Sequence, residues 1–187
     1  MNCSVFIATS VDGYIAAEDG TVDWLYAAGD QQADLGDDVG MGFQQYIASV
    51  DCMIMGRGCM EILAGMRLTP EAWPYGNLRV IVLSRSINEP PAALPGPVEI
   101  YSGNIPTLIK SLESDGFKHA YVDGGATITS FLSLGLINEM TITKAPIILG
   151  KGIPLFGQLS QAINLEKTTA KVFTNGFIQE TFVVSTD

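Results

Sequence analysis

The stretch Tyr121-Val122-Asp123-Gly124-Gly125-Ala126-Thr127-Ile128 constrains this chain more than any other. Ala120 to Val122 is a short apolar run with the character of a buried strand. Two glycines follow at once, and Ile128, Phe131 and Leu132 then recur at helical spacing. A strand that turns through glycine into a helix presents backbone N–H groups and the positive end of the helix dipole, with no side chain in the way. Such a junction seats an anion, or it is simply a tight strand-to-helix turn.

The same arrangement recurs upstream. Cys3 to Thr9 is almost continuously apolar or small, as in a strand covered on both faces, and ends in the turn signal Asp12-Gly13. Residues 17 to 23 form a polar loop before Trp24-Leu25-Tyr26, and residues 27 to 42, rich in Asp and Gly, read as a mobile loop with some helix. Phe43, Tyr46, Ile47 and Val50 predict a helix ending near Ser49. Asp51 to Met55 is a second strand, followed by Gly56-Arg57-Gly58 and a short helix carrying Met60, Ile62, Leu63 and Met66. Arg79 to Leu83 is a third strand, closed by Ser84-Arg85-Ser86, and Val98 to Tyr101 a fourth. Asn104 is a suitable N-cap for a helix ending before Gly116, and the helix after Gly125 stops at Gly135. Asn138 to Ala145 is a strand, and Lys171 to Val184 alternates around Asn175-Gly176, a two-residue hairpin signal. Strands alternating with helices, then a hairpin, predict an α/β domain whose sheet is mainly parallel with an antiparallel edge. At 187 residues the expectation is a single domain, 1–187.

Composition excludes several functions. The net charge of −10 argues against a nucleic-acid partner, because phosphate backbones need a basic face. No apolar run reaches the roughly 18 residues that cross a bilayer, so no membrane partner is expected. Met1-Asn2-Cys3-Ser4-Val5 lacks a basic leader, which predicts a cytoplasmic protein. Cys3, Cys52 and Cys59 sit in or beside apolar runs without CxxC spacing and read as buried free thiols, with no metal site. His119, the single histidine, lies near no GxSxG elbow, which disfavours a Ser-His-Asp hydrolase.

With only ten Lys and Arg residues in the chain, the arginines beside turns become informative. Gly56-Arg57, Ser84-Arg85 and Gly124-Gly125-Ala126-Thr127 all follow predicted strands, and in open α/β sheets ligands collect at that carboxyl edge. Glycine backbones and a helix N-terminus suit a pyrophosphate, while arginines and a serine hydroxyl suit a further phosphate. Together they fit a phosphorylated dinucleotide such as NADPH, although no GxGxxG or Walker lysine motif is present.

These residues resemble a known family. Met55-Gly56-Arg57, Val82-Leu83-Ser84-Arg85 and Asp123-Gly124-Gly125-Ala126 are similar to the three cofactor-binding segments of the dihydrofolate reductase fold. Leu134-Gly135-Leu136-Ile137-Asn138-Glu139 and Pro146 to Phe156 resemble the reductase domain of the riboflavin-pathway deaminase–reductase and its stand-alone bacterial relatives. Asn138 replaces that group's usual aspartate and Lys151 its middle glycine. Ser10 to Ala16 and Asp23-Trp24 match its N-terminal pattern. The resemblance implies a dihydrofolate-reductase-like three-layer fold: a central mixed, mainly parallel sheet with a C-terminal antiparallel hairpin. It implies NADPH at Gly56, Arg57, Ser84, Arg85, Gly124, Gly125, Ala126 and Thr127, with Ala8, Ile15 and Leu149 beside the nicotinamide. The expected activity is NADPH-dependent hydride transfer to a pterin, pyrimidine or similar heterocycle; the alternative is a nucleotide-binding module of the same fold without turnover.

The substrate side follows the pattern less closely. Folate reductases place a buried carboxylate a few residues beyond the tryptophan, and that spacing from Trp24 lands on Gly29, with Asp30 adjacent and Asp34 a turn further. Asp30, Asp34 and Asp12 are the candidate catalytic acids, against readings as solvated loop acids and a turn former. Trp24 is a pocket wall or a core anchor. Cations for a ribose phosphate are not located, and no HxE with PCxxC marks a zinc deaminase domain. Relatives in the riboflavin group commonly pair, and Ile147 to Leu149 is the candidate homodimer surface.

Overall fold

The computed structural model describes residues 1–185. Its centre is an eight-stranded sheet in the order β5-β4-β3-β6-β1-β7-β10-β9. These strands are β1 (Asn2–Thr9), β3 (Cys52–Gly56), β4 (Arg79–Leu83), β5 (Val98–Tyr101), β6 (His119–Asp123), β7 (Glu139–Lys144), β9 (Leu165–Val172) and β10 (Ile178–Val184). From β5 to β7 every pairing is parallel, and β10 joins β7 and β9 antiparallel. The predicted α/β class and the antiparallel edge are therefore both present. A small second sheet pairs β2 (Tyr14–Ala16) with β8 (Ile153–Pro154).

The parallel strands are buried because both faces are covered, and their side chains alternate between two cores. Cys52, Ile54, Ala120 and Val122 face one side, where α4 (Ile105–Ser114) and α5 (Gly125–Ser133) bring Leu108, Leu112, Ile128 and Phe131. Met53, Met55, Val80, Val82 and Tyr121 face the other, against Met60 of α3 (Arg57–Gly65) and Phe43 and Tyr46 of α2 (Phe43–Ser49). Phe131 has no exposed surface, and burying a side chain of that kind stabilises the fold by roughly 1.5–3 kcal/mol.

The helix ends follow their local chemistry. Asn104 Oδ1 accepts from the Thr107 N–H at 2.9 Å, the predicted N-cap of α4. At its other end Gly116 takes a left-handed φ of +92°, so Phe117 N–H donates to the Leu112 carbonyl and Gly116 N–H to that of Glu113. Gly135 closes α5 in the same way, with Leu136 N–H donating to Phe131 O and Gly135 N–H to Leu132 O.

Two local expectations need correction. The edge strand β9 starts at Leu165, not Lys171; all eight of its residues are exposed, so neither face imposes an alternating pattern. The hairpin turn is also longer than two residues. A two-residue type I′ turn needs positive φ at both central positions, yet of Asn175 and Gly176 only Gly176 has it, at +88°. Phe173 and Phe177 close the turn instead, with Phe173 N–H donating to Phe177 O. Within residues 27 to 42 the helix is limited to the end of α1 (Asp23–Ala27) and one 3₁₀ turn at Gly36–Asp38. Among the described residues, no helix is long and apolar enough to cross a membrane.

Candidate active site

The sheet register brings the three strand-end turns together. β4, β3 and β6 are consecutive and parallel, with Leu83 opposite Gly56 and Met55 opposite Asp123. Ser84-Arg85, Gly56-Arg57 and Gly124-Gly125 therefore open at one level along the carboxyl edge. Arg57 Nη1 donates to Ser86 Oγ at 3.0 Å, and the Ser84 and Ser86 hydroxyls lie 3.3 Å apart. The Arg57 ion pair to Glu61, at 3.5 Å within one exposed helix turn, is weak. Arg85 is exposed and makes no ion pair among the described residues. A cavity of about 620 Å³ runs from Ser84 and Arg85 past Tyr101 to Asn104 and Ile105.

At the third turn, two glycines are required for different reasons. Gly124 takes φ +89°, and a Cβ on it would stand 2.4 Å from Cys59 Sγ. Gly125 has no such backbone demand, but a Cβ there would meet the Pro154 carbonyl at 2.5 Å. The segment around β8 thus lies directly on the start of α5, with Leu155 N–H bonded to Gly13 O. The first bond of α5 into the glycine turn is Ile128 N–H to Gly124 O at 2.8 Å. The N–H groups of Gly125, Ala126 and Thr127 precede that bond and have no intrahelical acceptor.

Beside these turns is a second cavity of about 770 Å³. Phe6, Ile7 and Ala8 of β1, Ile15, Tyr26, Leu63 and Tyr75 are among the residues that line it. Among the described residues, its one charged lining residue is Asp123. By area Asp123 is only partly shielded, because its open side faces the cavity; the carboxyl itself is surrounded by protein. Burial pushes that carboxyl up to about 6 from a usual 3.8, opposed by the Gly124 N–H and the neighbouring Tyr121 hydroxyl. The one proton of that hydroxyl is donated to the Phe6 carbonyl at 2.9 Å. A carboxyl near 6 is half-protonated under mild acid, so it both holds and releases a proton close to neutrality. Cys59, also on the wall, is pushed by burial up to about 12 and is a neutral thiol rather than a nucleophile.

The profile of the RibD C-terminal domain matches residues 3–179. The chain belongs to that family. The family is the reductase domain of riboflavin-biosynthesis enzymes, and this chain is similar to its stand-alone members. A solved structure from Shewanella sp. PV-4, named as a riboflavin biosynthesis protein, is 35% identical, covers 99% of both chains and superposes with a TM-score of 0.85. Protein YwjB of Bacillus subtilis (strain 168) is 31% identical over 170 residues, 90% of each chain. Dihydrofolate reductase from Enterococcus faecalis, solved with NADP(H), is 16% identical with a TM-score of 0.59 over 98% of this chain and 96% of its own. That last likeness shows the fold alone: the RibD C-terminal chain has the dihydrofolate-reductase-like architecture.

Within this RibD-type frame the anticipated residues separate into groups. Ala8, Ile15 and Gly124 line the larger cavity, and Ser84 and Arg85 line the smaller one. Gly56, Arg57, Gly125, Ala126 and Thr127 lie along the edge joining them; Thr127 Oγ1 would be 3.0 Å from a Cβ on Gly56. Leu149 is not among the lining residues. Its N–H and that of Gly150 donate to the two Asp12 oxygens at 3.1 and 2.7 Å. The Ser10 side chain, then those two N–H groups, hold the Asp12 carboxyl below its usual range, so Asp12 clamps the β1–β2 turn to the 149–150 loop as an anion.

Asp30 and Asp34 are exposed and absent from the cavity lining. Their Oδ1 atoms accept from the N–H groups of Gln32 and Gly36, each at 2.9 Å and each two residues ahead. Trp24 is likewise absent from that lining and packs with Ala28, Ala145, Phe173 and Phe177, while Val22, Leu25 and Tyr26 reach the cavity. His119 bridges Ser4 Oγ at 2.7 Å and the Ser49 carbonyl at 3.0 Å, a structural tie. Asp123 is the cavity's acid, and spacing from Trp24 does not lead to it. Its signal was present: a single carboxylate ending the apolar run His119-Ala-Tyr-Val and preceding two glycines.

Proposed function

We propose that this protein is an NADPH-dependent reductase acting on a heterocycle held in the cavity above Asp123. One observation carries the reading: the register that aligns the β3, β4 and β6 turns also puts Asp123 in the lining of the larger cavity. The donor set fits the cofactor. The free N–H groups of Gly125, Ala126 and Thr127 suit the pyrophosphate, Arg57 and the two serines suit a phosphate, and exposed Arg85 suits the 2′-phosphate. When bound, NADPH supplies the hydride. The chain's own contribution is positioning and one proton. Ala8 and Ile15 shape an apolar seat that excludes water, and the Asp123 carboxyl holds a proton for a ring nitrogen of the substrate.

Steady-state absorbance of NADPH with dihydropterin and pyrimidine substrates tests this directly. The expected result is substrate-dependent NADPH oxidation that slows as the pH rises through about 6, because the proton donor is lost on the alkaline side. Tight NADPH binding with no oxidation by any substrate of the panel would favour the binding-module reading instead.

A further inference from the structure

The larger cavity carries a second message, about what its substrate lacks. Among the described residues its lining contains no lysine, arginine or histidine. Its polar groups are neutral, including Gln31, Thr143 and Asn175, apart from the Asp123 carboxyl. The cations nearest along the chain are not among the lining residues. Lys144 follows the lining residue Thr143, but its Nζ lies 2.6 Å from Glu180 Oε2. Arg67 sits between the lining residues Met66 and Leu68 and does not itself line the cavity. The wall that supplies Ala28, Gln31, Gly40 and Met41 carries Asp30, Asp34, Asp37 and Asp38 within the same segment. Of these, Asp38 is paired with Lys171.

A phosphate monoester brings about −1.5 to −2 charges at neutral pH and needs cations or several N–H donors once it leaves water. Here it would meet one carboxylate among neutral polar and apolar side chains, so its desolvation would go uncompensated. The donors that do suit phosphate lie on the other side of Gly124, at the turns and the smaller cavity assigned to the cofactor. We infer that this site takes a phosphate-free ring compound, neutral or cationic, and discriminates against its phosphate ester. The aromatic walls formed by Phe6, Tyr26, Phe43, Tyr75 and Phe177 suit a flat ring. The inference rests on the reductase reading of the cavity and narrows it. It separates this chain from an enzyme such as the one from Thermotoga maritima named as a 5-amino-6-(5-phosphoribosylamino)uracil reductase.

Matched pairs of pyrimidine and pterin compounds, each with and without the phosphate ester, test it by calorimetric titration into the NADPH-loaded protein. The phosphate-free member is expected to bind at least about tenfold more tightly. The Gln31→Lys variant adds a cation to the exposed end of the wall, where Gln31 Nε2 now donates to Ala28 O. It is expected to recover about tenfold in binding of the phosphate esters. Equal or tighter binding of the esters to the unaltered protein would overturn the inference. So would failure of every phosphate-free ring to bind. If NADPH itself fails to bind, the reductase reading falls, and the same pairs titrated into the cofactor-free protein still decide the cavity's preference.

Discussion

Asp123→Asn is expected to lower the rate of NADPH oxidation by at least about 100-fold while NADPH binding stays within about twofold of the unaltered protein. The amide keeps the size of the carboxyl and its acceptor for the Gly124 N–H, but cannot pass a proton to the substrate. The residual rate should also lose its fall above about pH 6, since that limb belongs to the Asp123 carboxyl. The same substitution should stabilise the fold. Asp123 has a raised value when folded, near 6 against 3.8, so between these the folded chain holds more protons than the unfolded one. Stability from the protonated form is complete below about 3.8 and is lost as the pH rises through about 6. Above that range the unaltered protein carries a partly buried charge that the neutral amide removes. The variant should then gain about 1–2 kcal/mol by urea denaturation at alkaline pH, and progressively less on acidification. A variant that is both less stable and fully active would show that Asp123 serves packing rather than proton transfer.

The second large effect concerns the arginines. Arg57→Ala and Arg85→Ala together are expected to weaken NADPH binding by about 10–100-fold, since each loses charge-assisted bonds to a phosphate. NADH lacks the 2′-phosphate, so its affinity should fall less, and the preference between the two cofactors should narrow. Fluorescence titration with both cofactors reads this out. Neither arginine is buried, and the Arg57 bond to Ser86 spans two surface turns. The melting temperature should therefore barely move, which separates lost binding from lost folding. Unchanged affinity in the double variant would contradict the phosphate seat at this edge.

Which parts of this architecture were readable beforehand depended on whether a residue's partners are close in sequence. The parallel strands could be read because burial on both faces leaves an apolar run bounded by turns. The caps at Asn104, Gly116 and Gly135 could be read because their hydrogen bonds reach only a few residues. The edge strand β9 could not, because Leu165 to Val172 faces solvent throughout and shows no period. Neither could the acid of the larger cavity. Asp123 owes its raised value to burial at the end of β6, where β1 and α3, distant along the chain, close around it. Spacing from Trp24 points to Asp30 and Asp34, whose side chains turn back to their own loop. Asp12 marked a turn correctly, but its partners at Leu149 and Gly150 lie some 137 and 138 positions away. The glycine pair after β6 is the tight strand-to-helix turn, and its geometry is compatible with an anion seat as well. Gly124 and Gly125 are required sterically by Cys59 and Pro154, and the N–H groups that follow them at the start of α5 have no intrahelical acceptor.

The central claim is that the start of α5, aligned with the β3 and β4 turns, seats the pyrophosphate of NADPH beside the Asp123 cavity. Amide resonances followed by nuclear magnetic resonance during an NADPH titration test it most directly. The account predicts saturable shifts at Gly125, Ala126, Thr127, Arg57 and Ser84, with the amides of the distant edge strand β9 unmoved. Saturable binding that leaves Gly125 to Thr127 unshifted, or shifts concentrated in β9 and β10, would contradict it.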